Sequence, residues 1–337
     1  ILSAAGRYFA HETAVLAKTR KGDQLPGFEG TELIDIAVRD AQGRPRSSRD
    51  VADDIDAIVQ RELARGRTCL AHVVYGSKTG LVLPDISDLD LLRERHPALR
   101  FVVDACQARI SGADISDLLD RDCIVLLTGS KFMGGPPFSG MALVPGHWNP
   151  PATLPAGLAT IFHRGEWPLG WSACDHLPVN PNPGLLLRLE AAQFELERFV
   201  ALPSGDVSRV AECFRQQVRN LVDAIGARLV DPCLQSGDLR ASTLATLDLT
   251  PLAASPDLAM AQRWHRVLAA RGLRLGQPVK CVYEEGRGWG GTLRLCLSMP
   301  LIGEFAGMAP SAMQDRMEHD MRSIASVISA AQRAVVA

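Results

Sequence analysis

The chain has 337 residues, with 36 Lys and Arg against 38 Asp and Glu and a formal net charge of −2. That balance gives no electrostatic reason to expect nucleic acid or an anionic membrane surface as a partner. No apolar stretch reaches the roughly 18 residues needed to cross a bilayer and none reads as a secretory signal, while the length allows one large and one smaller domain. The eight cysteines (69, 106, 123, 174, 213, 233, 281 and 296) form no Cys-x-x-Cys pair and no metal-ligand spacing. The expectation is reduced, mostly buried thiols in a cytoplasmic protein with no metal site.

Taken in chain order, residues 50–65 (DVADDIDAIVQRELAR) place apolar side chains at helical spacing, and CLAHVVYG then reads as a strand. Residues 85–95 form a second amphipathic helix. The run 98–103 (ALRFVV) is a short strand ending in Asp104-Ala105-Cys106-Gln107, residues 115–122 are helix-like, and CIVLLT is a buried strand. Such strand–helix–strand alternation predicts a mostly parallel sheet with right-handed crossovers. MALVP, after a Gly- and Pro-dense loop, is a strand turning back beside CIVLLT. Residues 145–183 are rich in Pro, Trp, Gly and His without a period, as in an active-site or interface loop. GLLLRLEAAQFELERFVAL is a long helix bridging to a second domain. DVSRVAECFRQQVRNLVDAIGA is another helix, followed by ASTLATLDL (strand), LAMAQRWHRVLAARG (helix), GTLRLCLS (strand) and a helix from about 311. The fold class is therefore α/β, with a large domain over 1–183 and a connecting helix and smaller α+β domain over 184–337.

Lys131 stands out, being one of five lysines (18, 21, 78, 131 and 280) in a chain whose cations are otherwise arginines. It follows CIVLLTGS and precedes FMGGPPFSG, and a lysine at the mouth of a buried strand is expected to be desolvated, with a lowered amine pKa, as a Schiff-base lysine needs. The plain alternative is a stem packed on the strand with its head in water. Asp104 ends the preceding strand, and ligands of open α/β sheets bind at such carboxyl ends. A carboxylate there can hold a proton on a ring nitrogen, Gln107 can donate to a ring oxygen, and the hydroxyls of Thr128 and Ser130 suit a phosphate. Those are the needs of pyridoxal 5′-phosphate.

The segments FVVDACQAR and LLTGSKFMGGPPFSG resemble the cofactor core of fold-type I pyridoxal-phosphate enzymes, nearest the class V aminotransferase and cysteine desulfurase branch. The resemblance implies that Lys131 carries the aldimine, Asp104 pairs with the pyridine nitrogen, Gln107 serves the ring oxygen, and Thr128 and Ser130 contact the phosphate. HVVYGSKTGLVLPDI resembles the element that lies near the ring oxygen, which would place Ser77 or Thr79 there. TLRLCLS resembles the small-domain strand whose arginine grips the substrate carboxylate, here Arg294; a structural ion pair is the alternative. His11, in FAHETAVL, resembles the histidine that stacks on the ring, although the order of Glu and His is swapped. The resemblance also implies a homodimer and an amino-acid substrate, with a quinonoid intermediate after proton loss from Cα. Family members carry an earlier phosphate-binding loop, so the sequence is expected to be part of a longer protein, with a truncated homologue as the alternative.

Transamination is the first reading. A lyase, decarboxylase or β/γ-substitution enzyme using the same intermediate is the alternative, and neither the substrate nor the step after deprotonation is encoded in these motifs. A cysteine desulfurase would need a mobile persulfide cysteine, for which Cys233 in DPCLQSGD is a poor match, and a non-catalytic sensor would not need Lys131, Asp104 and Gln107 together. GSKTG lacks the Gly-x-x-x-x-Gly-Lys-Ser/Thr spacing of a nucleotide loop. His72 reads as a sheet histidine. Trp167, Trp171, His163 and His176 could line a pocket, form a dimer contact or simply pack the loop.

Overall fold

The computed structural model describes residues 30–154, 158–159, 162–230 and 242–336. Among these, 37–144 and 188–336 make one compact unit, and 30–36 with 145–187 belong to another.

The first unit's larger sheet contains β1 (Leu70–Tyr75), β2 (Val82–Leu83), β3 (Arg100–Asp104), β4 (Cys123–Thr128) and β5 (Gly140–Leu143), in the order β2-β1-β3-β4-β5. β1, β3 and β4 run parallel, and the two edge strands run antiparallel to their neighbours. The core of the sheet is thus parallel, as the alternating pattern predicts, and β5 turns back along β4. Side chains alternate between faces with period two. Val73, Phe101, Val103, Cys123, Val125 and Leu127 are buried on one face. On the other, Val74, Asp104 and Leu126 share one row, and Asp104, Ile124, Leu126 and Thr128 are only half-buried.

α1 (Ser48–Ala64) leads into β1, while α2 (Ile86–Arg95) and α3 (Gly112–Asp120) connect β2 to β3 and β3 to β4. α3 begins before the stretch 115–122, because Ser111 and Asp114 form a reciprocal capping box that satisfies the first-turn amides. His96, at the end of α2, bonds Asp56 of α1 at 2.6 Å.

Beyond α4 (Pro183–Val200) and α5 (Ser204–Ile225) comes a three-stranded antiparallel sheet, ordered β10 (Thr292–Cys296), β7 (Leu244–Asp248), β6 (Arg228–Leu229). A short hairpin, β8 (Tyr283–Glu284) and β9 (Gly288–Trp289), lies between, and α6 (Leu258–Ala270), α7 (Met299–Ala306) and α8 (Pro310–Val336) complete the unit. α5 shows why this part folds: Val210, Phe214, Val218, Leu221 and Val222 recur on one face and are buried. They share a core with Leu247, Leu293, Ile302 and Ile328, and that same core takes in Phe132 and Met133 from the loop after β4.

In the other unit, residues 162–182 contain only the short turns Arg164–Glu166 and Ser172–Cys174 as regular structure, in keeping with the aperiodic sequence. The aromatic side chains pack within the loop: Trp167 meets Phe162 edge-on and lies 6.0 Å from Trp171, whose Nε1 donates to the Trp148 carbonyl. Arg164 fastens the turn to Asp175 and to the carbonyls of Pro168 and Leu169.

Candidate active site

Asp104 is the last residue of β3, and Lys131 lies three residues past the end of β4, the adjacent parallel strand. Both therefore sit at the carboxyl edge of the sheet, and Cys106 feels the charges of both. One Asp104 oxygen accepts from the Cys106 amide at 2.9 Å, which pins the carboxylate as the chain leaves the sheet. Burial pushes the Cys106 thiol up to about 12, the Asp104 carboxylate adds to the rise and Lys131 opposes it, so this thiol is not a nucleophile at neutral pH. His72 lies on the half-open face. Desolvation lowers its imidazole pKa from the ordinary value, against the opposing pull of Asp104.

Lys131 is exposed, which corrects the expectation of a desolvated amine. The strand that precedes it is buried, but Gly129 and Ser130 turn the chain outward first, so the side chain clears the sheet edge. Thr128 and Ser130 sit just before it, with their hydroxyl oxygens 3.0 Å apart.

Gln107 follows Asp104 by three residues, and its side-chain carbonyl accepts weakly from Arg109 at 3.4 Å. Arg109, which no motif singled out, is buried. Its Nε donates to Thr243 at 2.9 Å, its Nη2 to the Leu297 carbonyl at 2.8 Å, and its guanidinium lies 4.5 Å from the Phe132 ring centroid. Desolvation, with a smaller contribution from Arg294, brings its pKa down to about 10, against a rise from Cys296. Ala108 between them is held at φ 55°, a left-handed conformation that costs a non-glycine residue about 1–3 kcal/mol. Arg109 thus ties the loop carrying Gln107 to the end of β10 and, through Phe132, to the residue after Lys131. Only the tertiary fold marks it out among the many arginines.

The same loop depends on two glycines. A Cβ on Gly129 would lie 2.4 Å from the Ala192 Cβ, and one on Gly135 2.7 Å from it. Ala192, the sole buried residue of α4 among the described residues, therefore packs directly on the backbone that presents Lys131.

Ser77 and Thr79 are in the turn after β1, one strand over from Asp104. The Ser77 hydroxyl accepts from the amides of Thr79 and Leu81, both at 3.2 Å, and Arg39 donates to the Thr79 hydroxyl at 2.6 Å. Arg294, on β10, is buried and reaches this turn: Nη1 donates to the Lys78 carbonyl and Nε to the Gln277 carbonyl, each at 2.8 Å. Among the described residues, none of its hydrogen bonds uses Nη2. His11 and Cys233 lie outside the described residues. Among the described residues no group of three or more His, Cys, Asp or Glu is placed to hold a metal ion, and no helix is long and apolar enough to cross a membrane.

No family model matches the chain, and no curated protein does. Solved structures do resemble it. A serine palmitoyltransferase of Sphingomonas wittichii is 16% identical, with 81% of this chain and 59% of that one covered at a TM-score of 0.44. An L-methionine decarboxylase from Streptomyces sp. 590 is 11% identical, covering 85% and 58% at 0.43. A phosphoserine aminotransferase from Cytophaga hutchinsonii is 11% identical, covering 71% and 61% at 0.37. The chain thus spans about three fifths of the length of these proteins. Superpositions this loose say nothing about its activity.

Proposed function

We propose that the chain is a fold-type I enzyme that binds pyridoxal 5′-phosphate at Lys131 and acts on an amino acid, with transamination as its reaction. The observation that carries the reading is the placement of Asp104 and Lys131 at one edge of adjacent parallel strands, with the Thr128 and Ser130 hydroxyls beside the lysine. The residues present fit the cofactor. They comprise a half-buried carboxylate with one oxygen fixed by a backbone amide, an exposed primary amine, a pair of hydroxyls, and an amide three residues past the carboxylate.

Bound there, pyridoxal phosphate would supply an electron sink for charge left at a substrate carbon. Asp104 would hold a proton at the ring nitrogen, a charge-assisted bond in which the carboxylate stays ionised. The Thr128 and Ser130 hydroxyls would donate to phosphate oxygens, and Gln107 to the ring oxygen. The Lys131 amine, exposed at the sheet edge, would take a proton from the substrate carbon and return it elsewhere, as general acid–base groups do. Arg294, with Nη2 unspent and its other nitrogens held by carbonyls, would meet the substrate carboxylate.

The purified protein should be yellow, absorbing near about 420 nm, and borohydride should fix the cofactor to the peptide containing Lys131. Label found on Lys78 instead would overturn the assignment. Product analysis with a panel of amino donors, with and without a keto-acid acceptor, then separates transamination from decarboxylation or elimination.

A further inference from the structure

Lys78 is the only other lysine near this edge among the described residues, and the proposed chemistry does not use it. Its Nζ lies 3.3 Å from the Gln277 side-chain carbonyl, while its own backbone carbonyl accepts from Arg294. Gln277 in turn accepts Arg294 Nε through its backbone. Among the described residues, both cations therefore meet neutral acceptors in one hydrogen-bonded unit. No carboxylate pairs with Lys78, Arg294, Arg109 or Lys131 among the described residues, whereas Arg228 on β6 is matched by Asp248 at 2.9 Å. Lys78 is exposed, yet desolvation of its amine, then the charges of Arg294 and Lys131, hold it below the ordinary lysine range, so the three cations are within electrostatic reach. Like charges gathered with no carboxylate paired to any of them among the described residues favour an anionic ligand.

Strand order says which anion. The Lys78 turn follows β1 and the Thr128–Ser130 pair follows β4, on opposite flanks of Asp104 at the end of β3. With the cofactor phosphate on the β4 flank, the β1 flank is left for the substrate. We infer that Lys78 and Arg294 form a two-pronged anion subsite and that the substrate is an acidic amino acid, its α-carboxylate on Arg294 and its second acidic group on Lys78. This rests on the function proposed above.

The test compares binding of L-glutamate and L-aspartate with L-glutamine and L-asparagine, followed by the absorbance change of the purified protein. The acids should bind about tenfold more tightly or better than the amides, the scale of one charge-assisted hydrogen bond. Lys78→Gln should bring that ratio to near one, and Lys78→Arg should restore it; a merely structural lysine would not move the ratio. A wild-type ratio near one, or loss of pyridoxal phosphate from Lys78→Gln, overturns the inference, the second outcome assigning Lys78 to the cofactor phosphate. A second arm needs no cofactor chemistry: glutarate should raise the melting temperature more than butyrate in wild type and not in Lys78→Gln. Protection by glutarate in a protein that binds no pyridoxal phosphate would keep the anion subsite and sink the proposed function. A yellow protein without acid preference would sink only the subsite.

Discussion

Asp104 leaves β3 with one oxygen committed to the Cys106 amide, so its carboxylate is fixed in direction before any ligand arrives. A preorganised charge of this kind is worth far more than one that must reorient during a reaction. Asp104→Asn keeps the shape and that hydrogen bond but removes the negative charge. Turnover should fall by about 10²-fold or more, comparable to losing one preorganised electrostatic partner, while circular dichroism stays unchanged. Activity near the wild-type level in steady-state assays would remove Asp104 from the mechanism. Arg109 acts differently: its nitrogens are spent on Thr243, Leu297 and Gln107, so it positions the loop rather than meeting a ligand.

At the scale of elements, the decisive contact is α4 against the loop after β4. Gly129→Ala would drive a Cβ to 2.4 Å from Ala192 and 2.8 Å from the Ser139 hydroxyl oxygen, and neither backbone can give way freely. Chemical denaturation should show a loss of about 1–3 kcal/mol, the usual cost of overpacking. Borohydride labelling of Lys131 should weaken in parallel, because the displaced backbone is the one that presents it. A second joint links α1 to α2 through Asp56 and His96. The His96 hydrogen bond, then the charges of Arg95 and His96, hold the Asp56 carboxyl below its ordinary 3.8 against desolvation. A depressed folded-state pKa stabilises above the unfolded value and is lost as pH falls through the folded one. Asp56→Asn should therefore lower the melting temperature at neutral pH, and its gap to wild type should close as pH drops below 3.8. A gap unchanged at low pH would mean the site contributes only packing.

For the whole molecule, α4 is conspicuous because only Ala192 is buried while Leu186, Leu187, Phe194 and Val200 are all more than half exposed. An apolar helix face left in water disfavours the monomer. The homodimer implied by the sequence resemblance would cover it. Sedimentation should give a dimer, and Phe194→Asp should shift it toward monomer without loss of helix content. A wild-type monomer at assay concentration would leave that face for another partner.

The alternation of apolar runs, the Asp-x-x-Gln end of one strand and the Thr-x-Ser-Lys end of the next were all legible in the sequence. Period and turn chemistry are local properties, and they made the α/β class, the parallel core and the approximate place of most elements readable. Lys131 is exposed although its strand is buried, because a buried strand does not bury what lies three residues beyond it. Arg109, Lys78 with Gln277, and Ala192 on Gly129 carry no local signal. Their partners lie far away in the chain, 199 residues for Lys78 and Gln277 and 216 for Lys78 and Arg294, and only folding brings them together. Local sequence set which groups stand at the ends of the strands. The tertiary structure alone decided which distant cations gather around them, because electrostatic interaction depends on neighbours in space rather than along the chain.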